Sequence, residues 1–393
     1  MAPRTPLLPL LAGVVALTRA QIFGCGDSDV LPPKADARQN PADGGPGYVE
    51  WWFFTAYSKE HDLGAVLTYH PLQEHSSASA MLYFNASHPD AATTIRVGES
   101  FPAGSSSTES ANQTLGPANS VTVVDAKTYL LRGSVGETGK GNATWDLRFE
   151  QAVDAAREHV DVLGLLKLDW ISYMPSAAVS GTVSWTPAAA TWRGEAPATV
   201  TFELVGAYGY HDHNSGKWPK KAAASLASSA AVAASDEVEA SLPFTFDYKW
   251  GSTGDAKSVG AVYGAYMLPG ALANLSVGYV FVRAHDTHIK FGTLCLGHSI
   301  RLHALGFIDR PDGHKEATGV VLTAESPDYQ LTWTHQRRSS ATGGGGGLGL
   351  VVYEQLSVHN LTLVDKRAGA TSTAPMVALT NSFGFTEWSN PAS

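Results

Sequence analysis

Two histidines, an aspartate and an asparagine stand on consecutive positions in Gly206-Ala-Tyr-Gly-Tyr-His-Asp-His-Asn214, directly after the alternating apolar run Val200 to Val205. Adjacent imidazole and carboxyl groups can hold a proton donor at a tuned pKa, or can hold a metal ion. Side chains alternate along a strand. If 198–214 is one strand, Val200, Phe202, Leu204, Gly206, Tyr208, Tyr210, Asp212 and Asn214 share its inward, apolar face. His211 and His213 then point outward or toward a neighbouring layer. This pattern sets Asp212 at the end of a tyrosine-lined apolar wall, where desolvation raises a carboxyl pKa. A carboxyl kept protonated near neutral pH can protonate an epoxide oxygen, an alkene or a carbonyl. A bulge at Gly209 would reverse the faces. The competing structural reading is an Asp–His pair that caps a turn or closes a hydrogen-bond network.

A second unusual segment, Tyr48-Val-Glu-Trp-Trp-Phe-Phe-Thr-Ala-Tyr57, sets Glu50 among aromatic rings. Alternation puts Tyr48, Glu50, Trp52 and Phe54 on one face. Glu50 either donates a proton to substrate or satisfies a buried Trp N–H and a backbone amide. Trp52 either fills core or lines a cavity, where its π face would stabilise a cation. His211 and His213, at i and i+2, have metal-ligand spacing, and His285-Asp-Thr-His288 or His70 and His75 could add ligands. The companion acid of a double-stranded-helix metal site is missing; Ser215, Gly216 and Lys217 follow instead. The reading carries no metal and no cofactor. The five-glycine run lacks the Lys-Ser/Thr of a phosphate loop. A Gly-x-Ser-x-Gly elbow and a reactive-thiol motif are also missing.

The elements that must position these residues are strands. Short β-rich segments recur throughout, separated by Gly, Pro, Asn and Asp, and the one helical candidate is the short stretch Val153 to His159. This predicts an all-β fold of barrels or sandwiches. Lys217 to Ser241 reads as a flexible Ala/Ser insertion within a first domain, 21–243, and a second domain is expected over 244–393. Arg4, the apolar stretch Leu7 to Leu17 and a small-residue end at Ala20 predict a signal peptide over 1–20. The remaining chain is then expected in the secretory pathway, lumenal or secreted, with no membrane span. Sequons at Asn85, Asn112, Asn142, Asn274 and Asn360 are consistent with glycosylation on that route. Cys25 and Cys295 could form one bridge there. Net charge is −9, with 16% charged residues, which argues against nucleic acid and anionic membrane as partners.

Glu50-Trp-Trp-Phe-Phe-Thr and Gly209-Tyr-His-Asp-His-Asn214 resemble the two signatures of the hydroxyneurosporene synthase (carotenoid hydratase) superfamily. Val179-Ser-Gly-Thr182, Trp250-Gly251 and Gly384-Phe-Thr-Glu-Trp388 extend the pattern. Within it the chain looks most like the fungal branch of quinolone epoxide rearrangement proteins. More distantly it is similar to lipocalin-like Diels-Alderases. One departure is that Ser215-Gly216, not Trp-Gly, follows Asn214. The resemblance implies two lipocalin-like β-barrel or sandwich domains, packed together with a ligand cavity. It also implies cofactor-free isomerase or cyclase chemistry of secondary metabolism on a small apolar polycyclic or isoprenoid substrate, such as an isoprenoid-bearing alkaloid. On this reading Asp212 donates the proton, and His211 and His213 tune or orient it. Tyr210 and Asn214 position substrate oxygen, with Tyr208, Glu50 and Trp52 as further substrate contacts. A pericyclase, an alkene hydratase and a non-catalytic lipocalin-like carrier are the alternatives.

Overall fold

The computed structural model describes Asp36 and residues 48–71, 76–85, 93–102, 105–109, 111–162, 166–188, 198–217, 247–267, 276–284, 287–293, 295–342, 350–368 and 375–391. The expected signal peptide, the Ala/Ser insertion beyond Lys217, the boundary near Phe244, Cys25, His75, His285 and Asn274 lie outside these residues.

Twenty-one strands follow one another among the described residues. They are β1 (Tyr48–Ser58), β2 (Leu63–Pro71), β3 (Ser76–Phe84), β4 (Thr93–Phe101), β5 (Ser106–Glu109), β6 (Asn112–Leu115), β7 (Asn119–Val123), β8 (Thr128–Glu137), β9 (Gly141–Gln151), β10 (Ala156–Val162), β11 (Leu166–Pro187) and β12 (Val200–Lys217), then β13 (Asp247–Gly254), β14 (Val259–Met267), β15 (Ser276–Ala284), β16 (Thr287–Gly292), β17 (Ser299–Asp309), β18 (Lys315–Glu325), β19 (Tyr329–Thr342), β20 (Leu350–Asp365) and β21 (Val377–Pro391). The first twelve form one antiparallel sheet, in which β1 and β11 flank β12 and β10 pairs with β11. The last nine form a second sheet, in which β13 and β20 flank β21. The all-β class holds. Among the described residues no helix is long and apolar enough to cross a membrane.

Each sheet curls around its own core. In the first, Trp52 and Phe54 of β1 meet Val97 of β4, Val121 of β7 and Leu131 of β8. In the second, Tyr263 of β14, Val280 of β15, Leu331 and Trp333 of β19 and Leu361 of β20 do the same. A third core lies between the sheets, where Phe53, Trp170 and Tyr210 from the first pack with Trp250, Tyr266, Tyr279 and Phe385 from the second. Polar links tie the halves together: Tyr83 Oη donates to Glu354 O at 3.0 Å, and Lys290 Nζ pairs with Glu158 at 2.7 Å.

The expected helix over 153–159 is instead the start of β10. Ala156 and Glu158 are buried while Arg157 and His159 are exposed, the two-residue period of a strand. Strands β4 and β17 turn apolar residues inward, Ile95, Val97 and Phe101 in the first and Ile300 and Leu302 in the second, while Thr93, Arg96, Gly98, Glu99, Arg301, His303 and Leu305 are exposed. Cys295 is disulfide-bonded. Of the sequon asparagines, Asn85, Asn112 and Asn360 are exposed and Asn142 is half-buried.

Candidate active site

The decisive local feature is a bulge in β12. Ala207 pairs with Val179 and Leu204 with Gly181, so Val205 and Gly206 together oppose Ser180 alone. Gly206 takes φ +61°, a left-handed conformation that glycine adopts without steric cost. The extra residue exchanges the faces. Leu204 lies in the first barrel's core and is followed there by Ala207, whereas Tyr208 and Tyr210 turn into the core between the sheets. The expected single face running from Val200 to Asn214 is therefore wrong beyond Leu204. The histidines do not point outward; they occupy the first barrel's interior and are fully buried.

Inside that barrel the histidines meet carboxylates. His211 ring nitrogens face Asp36 Oδ2 at 2.9 Å and Phe53 O at 3.1 Å, and the ring stacks on Phe54 at 3.9 Å. Both contacts are to oxygen atoms, one a carboxylate and one a backbone carbonyl. His213 stacks on Trp52 at 4.0 Å and places Nε2 2.9 Å from Glu50 Oε1. Its Nδ1 lies 3.3 Å from Asp36 Oδ1, within ion-pair distance. Tyr48 Oη donates to Glu50 Oε2 at 3.0 Å, and Trp52 Nε1 donates to Asp36 O at 3.2 Å. Burial lowers the His213 pKa, but hydrogen bonds and charge from Asp36 and Glu50 outweigh it and raise it to about 9. Burial pushes Asp36 up, but the charges and hydrogen bonds of His211 and His213 bring it down to about 2. Glu50, Trp52, His211 and His213 thus belong to a paired ionic cluster and do not line the cavity described next.

On the other side of the sheet stands Asp212, 3% exposed. Its Oδ2 accepts from Trp170 Nε1 at 2.8 Å and Tyr210 Oη at 2.7 Å; its Oδ1 accepts from Asn214 Nδ2 at 2.8 Å. Trp170 reaches this position because β14 has no side chain at Gly264, where a Cβ would lie 2.5 Å from the indole. Burial drives the Asp212 pKa up. The Tyr210 hydrogen bond opposes this, nearby Glu387 adds to it, and Trp170 and the charge on His213 oppose it; the balance is about 8. A carboxyl group at that value is mostly protonated at neutral pH.

Asp212 and Asn214 open onto a cavity between the sheets, lined also by Trp51, Phe53, Leu168 and Trp170 from the first sheet. From the second sheet come Tyr248, Lys249, Trp250, Gly264, Tyr266 and Glu387. The centre of a water-sized sphere can move through about 40 Å³ of it, room for a few water molecules. The rings of Tyr210 and Trp250 are 5.0 Å apart and those of Phe53 and Trp250 5.4 Å apart. Tyr208 packs in the same interdomain core.

Sequence reasoning missed Asp36, Trp170 and Glu387. Glu387 had a signal, because it shares a strand face with Phe383 and Phe385. Asp36 had none: it is an acidic residue in a polar leader segment with no period. The metal reading finds no second ligand set, since among the described residues no three His, Cys, Asp or Glu side chains are arranged to hold an ion. His288 contacts Asp154 at 3.3 Å instead.

No protein-family model matches the chain, and no curated protein matches it by sequence. Two solved structures are similar over nearly its whole length. A candidate AttH protein from Nitrosomonas europaea is 13% identical with a TM-score of 0.50, covering 92% of this chain and 98% of that one. Kievitone hydratase from Nectria haematococca is 11% identical with a TM-score of 0.50, covering 93% and 97%. At this identity the likeness is one of fold.

Proposed function

We propose that the protein is a cofactor-independent enzyme that uses Asp212 to protonate an apolar small molecule held between the two β domains, launching a cationic rearrangement or cyclisation. The single observation that carries this reading is a carboxyl group raised to about 8 on the wall of an aromatic cavity. Such an acid is charged with a proton at neutral pH and sits where a substrate can reach it. Tyr210, Asn214 and Trp170 hold the carboxyl in place and stabilise the carboxylate left after transfer. Trp51, Trp170 and Trp250 present the π surface that stabilises a carbocation. An isoprenoid-bearing alkaloid or similar epoxide or alkene is the substrate class. The cavity at rest suits water better than a polycycle, so binding requires the half-buried rim residues Trp51 and Tyr248 to move aside.

A second reading, alkene hydration, is favoured by the polar far wall of Lys249, Tyr248 and Glu387, which could keep a water beside the cation, and by the fold it shares with a kievitone hydratase. Passage through the secretory pathway, with glycans on Asn85, Asn112, Asn142, Asn274 and Asn360, belongs to the same proposal.

The test is metabolite profiling of cells with and without the gene, with the accumulated compound then given to purified protein. Conversion in ¹⁸O-labelled water without label uptake fits rearrangement; one labelled oxygen in the product identifies hydration. A ligand recovered unchanged after prolonged incubation removes the enzymatic reading and leaves a carrier.

A further inference from the structure

Glu354 of β20 and Glu387 of β21 face each other directly across the ladder. Each interrupts an apolar face directed at the interdomain core: Val352 and Leu356 flank Glu354, and Phe385 precedes Glu387. Two carboxylates in contact in so dry a place do not both stay ionised. Glu354 is 8% exposed, and its Oε2 is buried with no N–H or hydroxyl donor on it. The group against it is the Glu387 carboxyl, to which it hydrogen-bonds. Two carboxyl oxygens make such a bond only with a proton between them. Tyr248 Oη also donates to Glu387 Oε2, at 2.6 Å. Tyr248 thus stabilises negative charge on Glu387 while Glu354 Oε2 has no such donor, which places the pair's proton on Glu354. Burial raises both groups, and the charge on Glu387 raises Glu354 further. Glu387 lines the cavity.

We infer that Glu387 is the proton acceptor of this site and that Glu354 is the positioning residue that carries the pair's proton and holds Glu387 as the carboxylate. The inference rests on the reading of Asp212 as the acid. Asp212 gives one proton to the alkene carbon or epoxide oxygen. In rearrangement, a C–H bond beside the cation breaks, its electron pair forms the new C=C bond, and the proton passes to Glu387. In hydration, the water oxygen bonds the cation and one of its protons passes to Glu387. One proton leaves the enzyme and one returns, so the site resets by moving a proton from Glu387 to Asp212 through cavity water.

Two measurements test this without the natural substrate. Infrared titration of the protonated-carboxyl stretch should lose one band in Glu354→Gln. In Glu387→Gln that band should titrate about one pH unit or more lower, because the like charge is gone. A band unchanged in Glu354→Gln, or a midpoint unmoved in Glu387→Gln, overturns the shared proton. Propylene oxide, small enough for the cavity, tests the acceptor on the wild-type chain, so the result does not depend on a variant folding. As the epoxide C–O bond breaks, a Glu387 oxygen bonds the carbon and Asp212 supplies the oxygen's proton. Peptide mass spectrometry should find the ester on Glu387, formed at least about tenfold more slowly in Asp212→Asn. An unmodified Glu387 overturns the acceptor. An ester formed equally fast in Asp212→Asn leaves Glu387 standing and removes Asp212 as the acid.

Discussion

Asp36 and Asp212 lie on opposite sides of one sheet, both out of solvent, yet the first is held at about 2 and the second at about 8. Burial pushes both upward. The difference lies in the charge of their partners. Asp36 faces two imidazoles and sits in a cluster of two acids and two bases. Asp212 has three neutral donors and, across the cavity, another acid. Three neutral hydrogen bonds do not replace the solvation that an ionised carboxylate loses; a cation in contact does. The same strand thus builds a closed electrostatic lock on one face and sets a carboxyl group of raised pKa on the other.

The largest expected effect comes from removing the donor. Asp212→Asn should keep the fold and lower turnover by about 10²- to 10⁴-fold. It should also reveal a stability cost. Because its folded pKa is raised, Asp212 holds a proton that the unfolded chain has released, so wild-type stability falls as pH rises from about 4 to about 8. The Asn variant has no such slope and should gain melting temperature over wild type across that window. Thermal melts of both proteins at pH 5, 7 and 9 check this, and parallel curves would remove the raised pKa.

Breaking the lock comes next. Asp36→Asn leaves two imidazoles with one carboxylate and should destabilise the fold by about 3–5 kcal/mol in urea titrations. The pH dependence has two parts. The lowered Asp36 pKa contributes stability above about 4 that is lost as pH falls through about 2. The raised His213 pKa contributes stability below 6.5 that is lost as pH rises through about 9. The gap between wild type and variant should therefore be widest near pH 5 and narrow toward pH 9. A constant gap would mean the cluster is uncharged.

Much of this was legible in the order of residue types. Alternation announced the strands, and polar residues next to tyrosines announced Asp212, Tyr210 and Asn214. The division of labour was not legible. It depends on one extra residue at Gly206, and glycine in a strand signals a bulge without saying where the register slips. Asp36 was hidden because its role is set by a long-range contact, 175 residues from His211. Glu387 and Trp170 acquire their roles only when two sheets meet, a fact that no local period encodes. The helix expected over 153–159 failed because an Ala- and Glu-containing segment without a tertiary partner reads as helical; pairing with β11 overrode that preference.

A smaller effect should follow Trp170→Phe. It removes one of three donors to the Asp212 carboxylate while keeping an aromatic wall, so the Asp212 pKa should rise further, by no more than about one unit. The acid's infrared band would move accordingly, and turnover would fall by about tenfold or less, since a weaker acid transfers its proton less readily.

The smallest effect separates the bulge's geometry from its consequences. At Gly206 an added Cβ would meet nothing within 4 Å, so Gly206→Ala costs only the left-handed backbone, about 1–2 kcal/mol. The alternative open to the chain is to drop the bulge and slip the remaining strand by one residue. That would turn the paired histidines toward the cavity and Asp212 into a barrel already holding Asp36 and Glu50, leaving several buried charges without partners. The penalty for slipping exceeds the strain, so the variant should keep the register and lose a few degrees of melting temperature. The Asp212 infrared band should stay at its wild-type midpoint. A band that shifted or vanished in Gly206→Ala would mean that the glycine itself, and not the ionic cluster behind it, decides which face of β12 carries the acid.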